Sequence, residues 1–215
     1  HMDAGSFVYD AYGVRWSMDI GRQAYAPLEI ALKALGGNLW TYTQASLRWE
    51  VSRLNNFFHS TLTVNDSKHR VEGFATLEQT INTATEQGGT FDLSPVLEDQ
   101  VASAMRTVKI VNDKDLKVID AIRTRTDRSA KIRWTMVTPA APAVENDRIV
   151  LTSNGKTMYL TAAEEGGTQI VYKTFSTDPV HSYDDPNPGI YLVGFEATVP
   201  ADKWATFTTT LSPGN

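Results

Sequence analysis

Short runs of alternating or β-branched residues recur along the whole chain, and turn-forming residues separate them. Such runs favour β-strands, because branched and aromatic side chains pack well on a pleated surface. Asn154-Gly155 lies between two of the runs and is typical of a two-residue hairpin, whose central residues both need positive φ. The sequence therefore predicts an all-β fold, a large antiparallel β-sandwich. The predicted strands are Ser6–Tyr9, Thr61–Val64, Val108–Val111, Leu116–Ile122, Lys131–Val137, Arg148–Leu151, Thr157–Thr161, Gln169–Thr174, Ile190–Ala197 and Ala205–Leu211.

Helical patterns are few and short. The clearest begins at Ala26 and ends where Gly36-Gly37 stops the apolar spacing. No internal repeat and no long linker divides the chain, so residues 1–215 are predicted to form a single domain. The helical candidates are Ala26–Leu35, Ala45–Leu54, the weaker Thr76–Thr85 and a single turn at Ser94–Gln100, and Pro139–Pro142 is predicted to be an exposed loop.

The composition of the chain argues against several classes of binding partner and chemistry. The net charge of −5 argues against a general nucleic-acid binder, which usually carries a basic patch. The chain has no cysteine, which excludes disulfides and thiolate chemistry. No apolar run is long enough to predict a membrane span. An acidic polymer stays open as a ligand, because arginines cluster in the first third of the chain. They are Arg15, Arg22, Arg48, Arg53 and Arg70.

One segment stands out for its chemistry. Residues 48–62 place His59 behind two asparagines and ahead of a Ser-Thr pair, at the start of a predicted strand. Two more metal-competent residues, His1 and Asp19, lie upstream. A His/Asp/His set suits a zinc ion with an open coordination position. The same residues also have plainer interpretations, because His59 can bond in a turn, Asp19 fits turn chemistry, and His1-Met2 is a common cloning remnant.

The other histidines and the Asp-Asp pair are not predicted to bind metal. His69 lies between Lys68 and Arg70 and is predicted to be a solvated turn residue, and His181 is placed in a polar loop. Asp184-Asp185, followed by Pro186, is predicted to be a turn and not a calcium site.

Several blocks of sequence resemble the C-terminal β domain of the heparinase II/III-like polysaccharide lyases. They are HMDAGSFVYDAYGVRWSMDIGRQAY, LWTYTQASLRWEVSRLNNFFHSTLTVN and HRVEGFA, with DLSP and PNPGIYLVGFEATVP later in the chain. The resemblance implies a supersandwich-type β domain that follows an N-terminal α/α toroid. It also implies lyase chemistry on uronic-acid polysaccharides, either heparin-like and heparan-sulfate-like chains or alginate-like ones.

The resemblance extends to single residues. His1, Asp19 and His59 match the zinc ligands of the family, and a catalytic histidine would lie two residues before His1. No catalytic residue is therefore predicted within this chain. Substrate contacts are predicted for Arg15, Arg53, Trp40 and Tyr42, because Arg forks hold carboxylates and aromatic rings stack on sugars. Trp16 and Trp49, which have apolar neighbours, are predicted to fill the core.

Two functions follow as alternatives. The first is the sandwich portion of a zinc-containing polysaccharide lyase, inactive without its toroid and located in the periplasm or secreted. The second is a non-catalytic carbohydrate-binding or structural sandwich. A glycoside hydrolase is disfavoured, because no convincing pair of carboxylates stands out.

Overall fold

The computed structural model describes residues 1–214, which form antiparallel sheets and a single α-helix. The α-helix is α1 (Tyr25–Ala34), and three single turns of 3-10 helix lie at Leu47–Glu50, Asn56–Phe58 and Ser94–Val96. The strands are β1 (Tyr9–Ala11), β2 (Val14–Ser17), β3 (Leu62–Val64), β4 (Thr76–Asn82), β5 (Glu86–Asp92), β6 (Ser103–Val111), β7 (Asp115–Arg123), β8 (Ala130–Thr138), β9 (Ala141–Val144), β10 (Ile149–Ser153), β11 (Lys156–Glu164), β12 (Val171–Phe175), β13 (Tyr191–Val199) and β14 (Trp204–Pro213).

Two large sheets pack face to face and make the sandwich. One has eight strands in the order β4-β5-β6-β7-β14-β11-β10-β9, and the other has four in the order β12-β13-β8-β3. Trp134 of β8 stacks on Phe195 of β13 with ring centroids 5.8 Å apart, and Phe195 meets Phe207 of β14 at 5.6 Å. These rings join the two sheets across a buried core, so the predicted all-β sandwich is confirmed.

The alternation of apolar residues explains the sheets. Along β7 and β14 every second residue is buried, the period expected when one face of a strand packs on a core. The predicted hairpin is also confirmed, because Asn154 and Gly155 join β10 to β11 with φ of 51° and 70°. In the part of the chain that is described, no helix is long and apolar enough to cross a membrane.

Three of the minor predictions are wrong. Thr76–Thr85 is not helical, because it contains β4, an exposed edge strand paired with β5. Pro139–Pro142 is not purely a loop, because β9 begins at Ala141 and pairs with β10. Ala45–Leu54 forms only one 3-10 turn.

The missing helix has a local cause. The Asn55 side chain donates hydrogen bonds to the carbonyls of Trp49 and Val51, which a helix would use for its own amides. The apolar residues of the segment are buried nonetheless. They belong to a second, smaller core beneath α1, which contains Met2, Leu28, Leu32, Leu39, Trp49, Val51 and Leu54.

Candidate functional site

His59 lies where the chain leaves a 3-10 turn and turns toward β3. Its side chain is wholly buried. The Nδ1 atom lies 2.6 Å from Asp19 Oδ2, and Nε2 lies 3.2 Å from the carbonyl oxygen of Arg53. Both neighbours are acceptors, and a neutral imidazole has only one N–H to donate. A neutral ring can therefore satisfy only one of these two acceptors.

Asp19 follows β2 and faces His59 from a half-buried position. Its Oδ1 accepts a hydrogen bond of 2.7 Å from the amide of Gly21, which fixes the carboxylate in a tight turn. Burial alone would raise the pKa of Asp19, but the hydrogen bond and charge of His59 outweigh it and hold the pKa below its usual value. Asp19 is therefore an ionised carboxylate near neutral pH.

His1 completes the trio that the sequence singles out. Its ring centroid lies 5.6 Å from that of His59. The backbone beside it is fixed, because the amide of buried Met2 donates to the carbonyl of Leu54 at 2.9 Å. The three predicted ligands thus lie together. Within residues 1–214, however, no three His, Asp or Glu side chains are already arranged to hold a metal ion.

The two asparagines before His59 set the path of the chain. Asn55 Oδ1 accepts from the amide of Phe57 and so starts the 3-10 turn that delivers His59. Asn56 is wholly buried, and its side chain donates to Thr63 Oγ1 and accepts from the amide of His69. Their role is therefore to shape the loop that carries the imidazole.

A loop that is distant in sequence is hydrogen-bonded to the segment before His59. The sequence did not predict this contact. Asp184 accepts hydrogen bonds from the amide and the hydroxyl of Ser52, at 3.0 and 2.8 Å. Asp184 closes a turn that begins at His181, and Asp185 follows that turn. Asp184 is also buried and holds two parts of the chain together. Nothing local in the sequence reveals a partner so far away.

A buried ion pair joins the site to the eight-stranded sheet, and it was also missed. Arg106 of β6 and Asp120 of β7 are both fully buried and form a two-point pair at 2.7 and 3.0 Å. The remaining donors of Arg106 reach the carbonyls of Gly5 and Ser60, at 2.9 and 3.3 Å. A charged pair at opposed positions of neighbouring strands is the only sequence signal that hints at it.

The prediction for His69 is wrong. It is 2% exposed, and its Nε2 donates to the carbonyl of Leu62 at 2.8 Å, while Nδ1 has no partner. Burial lowers the pKa of His69 to about 4, so the ring is neutral. It lines a pocket of about 230 Å³ together with His1, Asp3 and Trp49. The side chain packs inward because Asn56 holds its backbone beneath the loop.

The four residues predicted to contact substrate differ in whether their side chains already have protein partners. Trp40 and Tyr42 are exposed, as expected, and both lie near the guanidinium of Arg48. Arg53 Nε, Nη1 and Nη2 already donate to protein acceptors on two segments, and Arg15 is paired with Asp10 on the β1–β2 hairpin. Trp16 and Trp49, expected in the core, are buried.

One known protein family matches most of the chain. The family described as heparinase II/III-like, C-terminal, matches residues 1–200. The chain belongs to this family. A search of curated proteins finds no match.

Solved structures agree on the fold of this heparinase II/III-like chain. The heparan sulfate lyase HepC from Pedobacter heparinus has a TM-score of 0.70 and 15% identity, and the match covers 100% of this chain and 31% of HepC. A heparinase III structure has a TM-score of 0.66 and 14% identity, over 100% of this chain and 30% of its own. The chain therefore spans about a third of the length of these relatives, and at such identities the likeness shows the fold.

Proposed function

We propose that this chain is the β-sandwich portion of a zinc-containing lyase that cleaves uronic-acid polysaccharides by β-elimination. The observation that carries the proposal is the meeting of His1, Asp19 and His59, which are far apart in sequence and lie together in the fold. Membership of the heparinase II/III-like C-terminal family supports lyase chemistry. The structurally similar HepC is a heparan sulfate lyase, which supports an acidic polysaccharide of the heparan type, and alginate-like chains stay open.

The donor chemistry fits zinc. Two imidazoles and one ionised carboxylate are a common ligand set for this ion, and a cation at His59 would satisfy the excess of acceptors around its ring. His59 and Asp19 contact each other directly in the described structure, so binding requires them to exchange that hydrogen bond for bonds to the ion. The zinc would hold the loop geometry on this side of the substrate cleft.

β-Elimination needs three functions: neutralisation of the uronate carboxylate, a base for the neighbouring C–H, and an acid for the departing oxygen. This chain offers charged and aromatic groups for the first and for binding. The base and acid are assigned to an N-terminal toroid of the longer parent protein, so the isolated chain is expected to be inactive. A periplasmic or secreted location suits a polysaccharide substrate.

Metal content tests the site. The purified chain is dialysed against equimolar zinc and analysed by mass spectrometry, beside the variants Asp19→Ala and His59→Ala. We expect about one zinc per wild-type chain and loss of most of it in either variant. The matched control is His181→Ala, which removes a histidine that stacks on Tyr183 instead. A wild-type chain that stays metal-free contradicts the zinc proposal.

Activity tests the reaction. The longer parent protein should release unsaturated uronate products, which absorb in the ultraviolet, and the 215-residue chain alone should release none. If the longer protein releases saturated ends, the reaction is hydrolysis and the lyase proposal is wrong.

The exposed rings of Trp40 and Tyr42 also favour a second function, a non-catalytic carbohydrate-binding module. This alternative predicts polysaccharide binding by a chain whose longer parent shows no turnover.

A further inference from the structure

Arg48 is a buried cation without an acidic partner. It is 4% exposed, and Nη1 donates to the carbonyl of Leu39 at 2.8 Å, while the buried Nε has no partner. No carboxylate in residues 1–214 lies within ion-pair distance of it. The other buried arginine, Arg106, has Asp120 as a two-point partner. Buried charges are normally paired with an opposite charge, so a buried arginine without a carboxylate partner is unusual.

Aromatic rings surround this guanidinium. Its central carbon lies 4.8 Å from the ring centroid of Tyr42, 5.2 Å from that of Trp49 and 5.9 Å from that of Trp40. The π faces attract a cation, but they carry no net negative charge. Trp40 and Tyr42 are 47% and 54% exposed, so their rings form a solvent-facing platform with a positive charge behind it.

We propose that Trp40, Tyr42 and Arg48 form a subsite for one anionic sugar residue of a polysaccharide, and that Arg48 makes the subsite prefer charged over neutral sugars. The aromatic rings offer an apolar surface to the sugar ring, and the guanidinium attracts its carboxylate or sulfate. A sugar without an acidic group would gain only the aromatic contact. The inference rests on the proposed polysaccharide function and adds to it the residue that selects for charge.

One acidic side chain lies at the rim of the platform, beside Trp40. Glu29 of α1 accepts a hydrogen bond from the indole N–H of Trp40. Its negative charge opposes an anionic sugar at the subsite. Neutralising it while keeping an acceptor for the indole should therefore strengthen binding, which is a result that damage to the fold would not produce.

Binding titrations of the 215-residue chain test the subsite. The probes are heparan sulfate oligosaccharides, alginate oligosaccharides and a neutral glucan oligosaccharide of equal length. Arg48→Met should weaken binding of the anionic probes about tenfold, as expected for loss of one charge-assisted contact, and leave the neutral probe unchanged. Arg48→Lys should keep most of the preference for charge, and Trp40→Ala should weaken all probes.

Two further variants keep the test decisive if Arg48→Met fails to fold. Glu29→Gln should strengthen binding of the anionic probes severalfold and leave the neutral probe unchanged. Trp204→Ala is the matched control, because Trp204 is exposed and Arg123 lies 5.9 Å from its ring, but Arg123 is paired with Asp202. It should change nothing.

The outcomes separate this inference from the function proposed above. Equal affinity of the wild-type chain for charged and neutral probes, an unaltered preference in Glu29→Gln, or no binding of any anionic probe each overturns the subsite. Zinc content and product absorbance of the longer protein decide the lyase proposal separately. A zinc-containing, active parent whose polysaccharide binding ignores Glu29 and Arg48 would retain the function and lose the subsite.

Discussion

The stacked sheets and the loop region around His59 are stabilised in different ways. We define the loop region as residues 18–61 and 65–75 together with residues 176–190. In the sheets, strands such as β7 and β14 bury every second residue and pair through continuous backbone ladders. In the loop region, single side chains such as Asn55, Asn56 and Asp184 bond to backbone groups of other segments. A repeated local pattern builds the sheets, whereas individual polar contacts build the site.

The contrast predicts where single substitutions have large effects. A sheet tolerates the loss of one contact among many equivalent ones, but each polar contact of the loop region has no substitute. The contact that joins both regions should be the most sensitive of all.

That contact is the Arg106–Asp120 pair. In Asp120→Asn, Arg106 stays buried with its charge unmatched, although it can still donate to the carbonyls of Gly5 and Ser60. We expect the free energy of unfolding to fall by about 3–5 kcal/mol, the usual cost of removing one partner of a buried pair. Urea titration followed by fluorescence measures it.

The double variant Arg106→Met/Asp120→Leu is the control for this prediction. Because it removes both charges and keeps apolar volume, it should recover most of the lost stability. A loss well under about 1 kcal/mol in Asp120→Asn would show that the pair does not hold the two regions together.

The second prediction tests whether water is excluded from the loop region as completely as from the core between the sheets. Burial holds the pKa of His69 at about 4, against the ordinary 6.5 of the unfolded chain. Between these values the unfolded state binds a proton that the folded state excludes, so stability falls as the pH drops from 6.5 to 4 and levels off below. The expected loss is about 3 kcal/mol. Unfolding titrations across this range measure it.

The hydrogen bond to the carbonyl of Leu62 and the charge of Asp3 oppose the lowering of the pKa of His69, and the charge of Arg106 adds to it, but each acts less than burial does. The comparison variant is His69→Gln, whose amide can still donate to the carbonyl of Leu62. Its stability should lack this component of the pH dependence. Parallel curves for wild type and His69→Gln would mean that His69 is hydrated and the loop region is not dry.

Sequence reasoning succeeded where the pattern is local and repeated. The sandwich, α1, the Asn154-Gly155 hairpin and the core positions of Trp16 and Trp49 all follow from short-range periodicity or turn chemistry. The family resemblance predicted His1, Asp19 and His59 as zinc ligands; His59 lies beside each of the other two, and their binding of zinc stays a prediction.

The failures around the site share one physical cause. The inward position of His69 and the single 3-10 turn within Ala45–Leu54 depend on hydrogen bonds of Asn56 and Asn55 with particular backbone atoms. The pairing of Asp184 with Ser52 depends on where a loop more than a hundred residues away comes to rest. Such bonds leave no period in the sequence, because each occurs once and its partner is set by the tertiary fold.

The smallest effect is expected where the distant loop is fastened to the segment before His59. Asp184→Asn removes the charge that accepts bonds from the amide and hydroxyl of Ser52 and from the amide of His181. The expected cost is about 1.5 kcal/mol, because one oxygen of the new side chain can still accept. Hydrogen exchange should accelerate at the amides of Ser52 and His181 and stay unchanged in the sheets. Asp185→Asn, at an exposed neighbour, should alter neither. Faster exchange in β7 and β14 as well would show that the two regions open together and that their separate stabilisation is wrong.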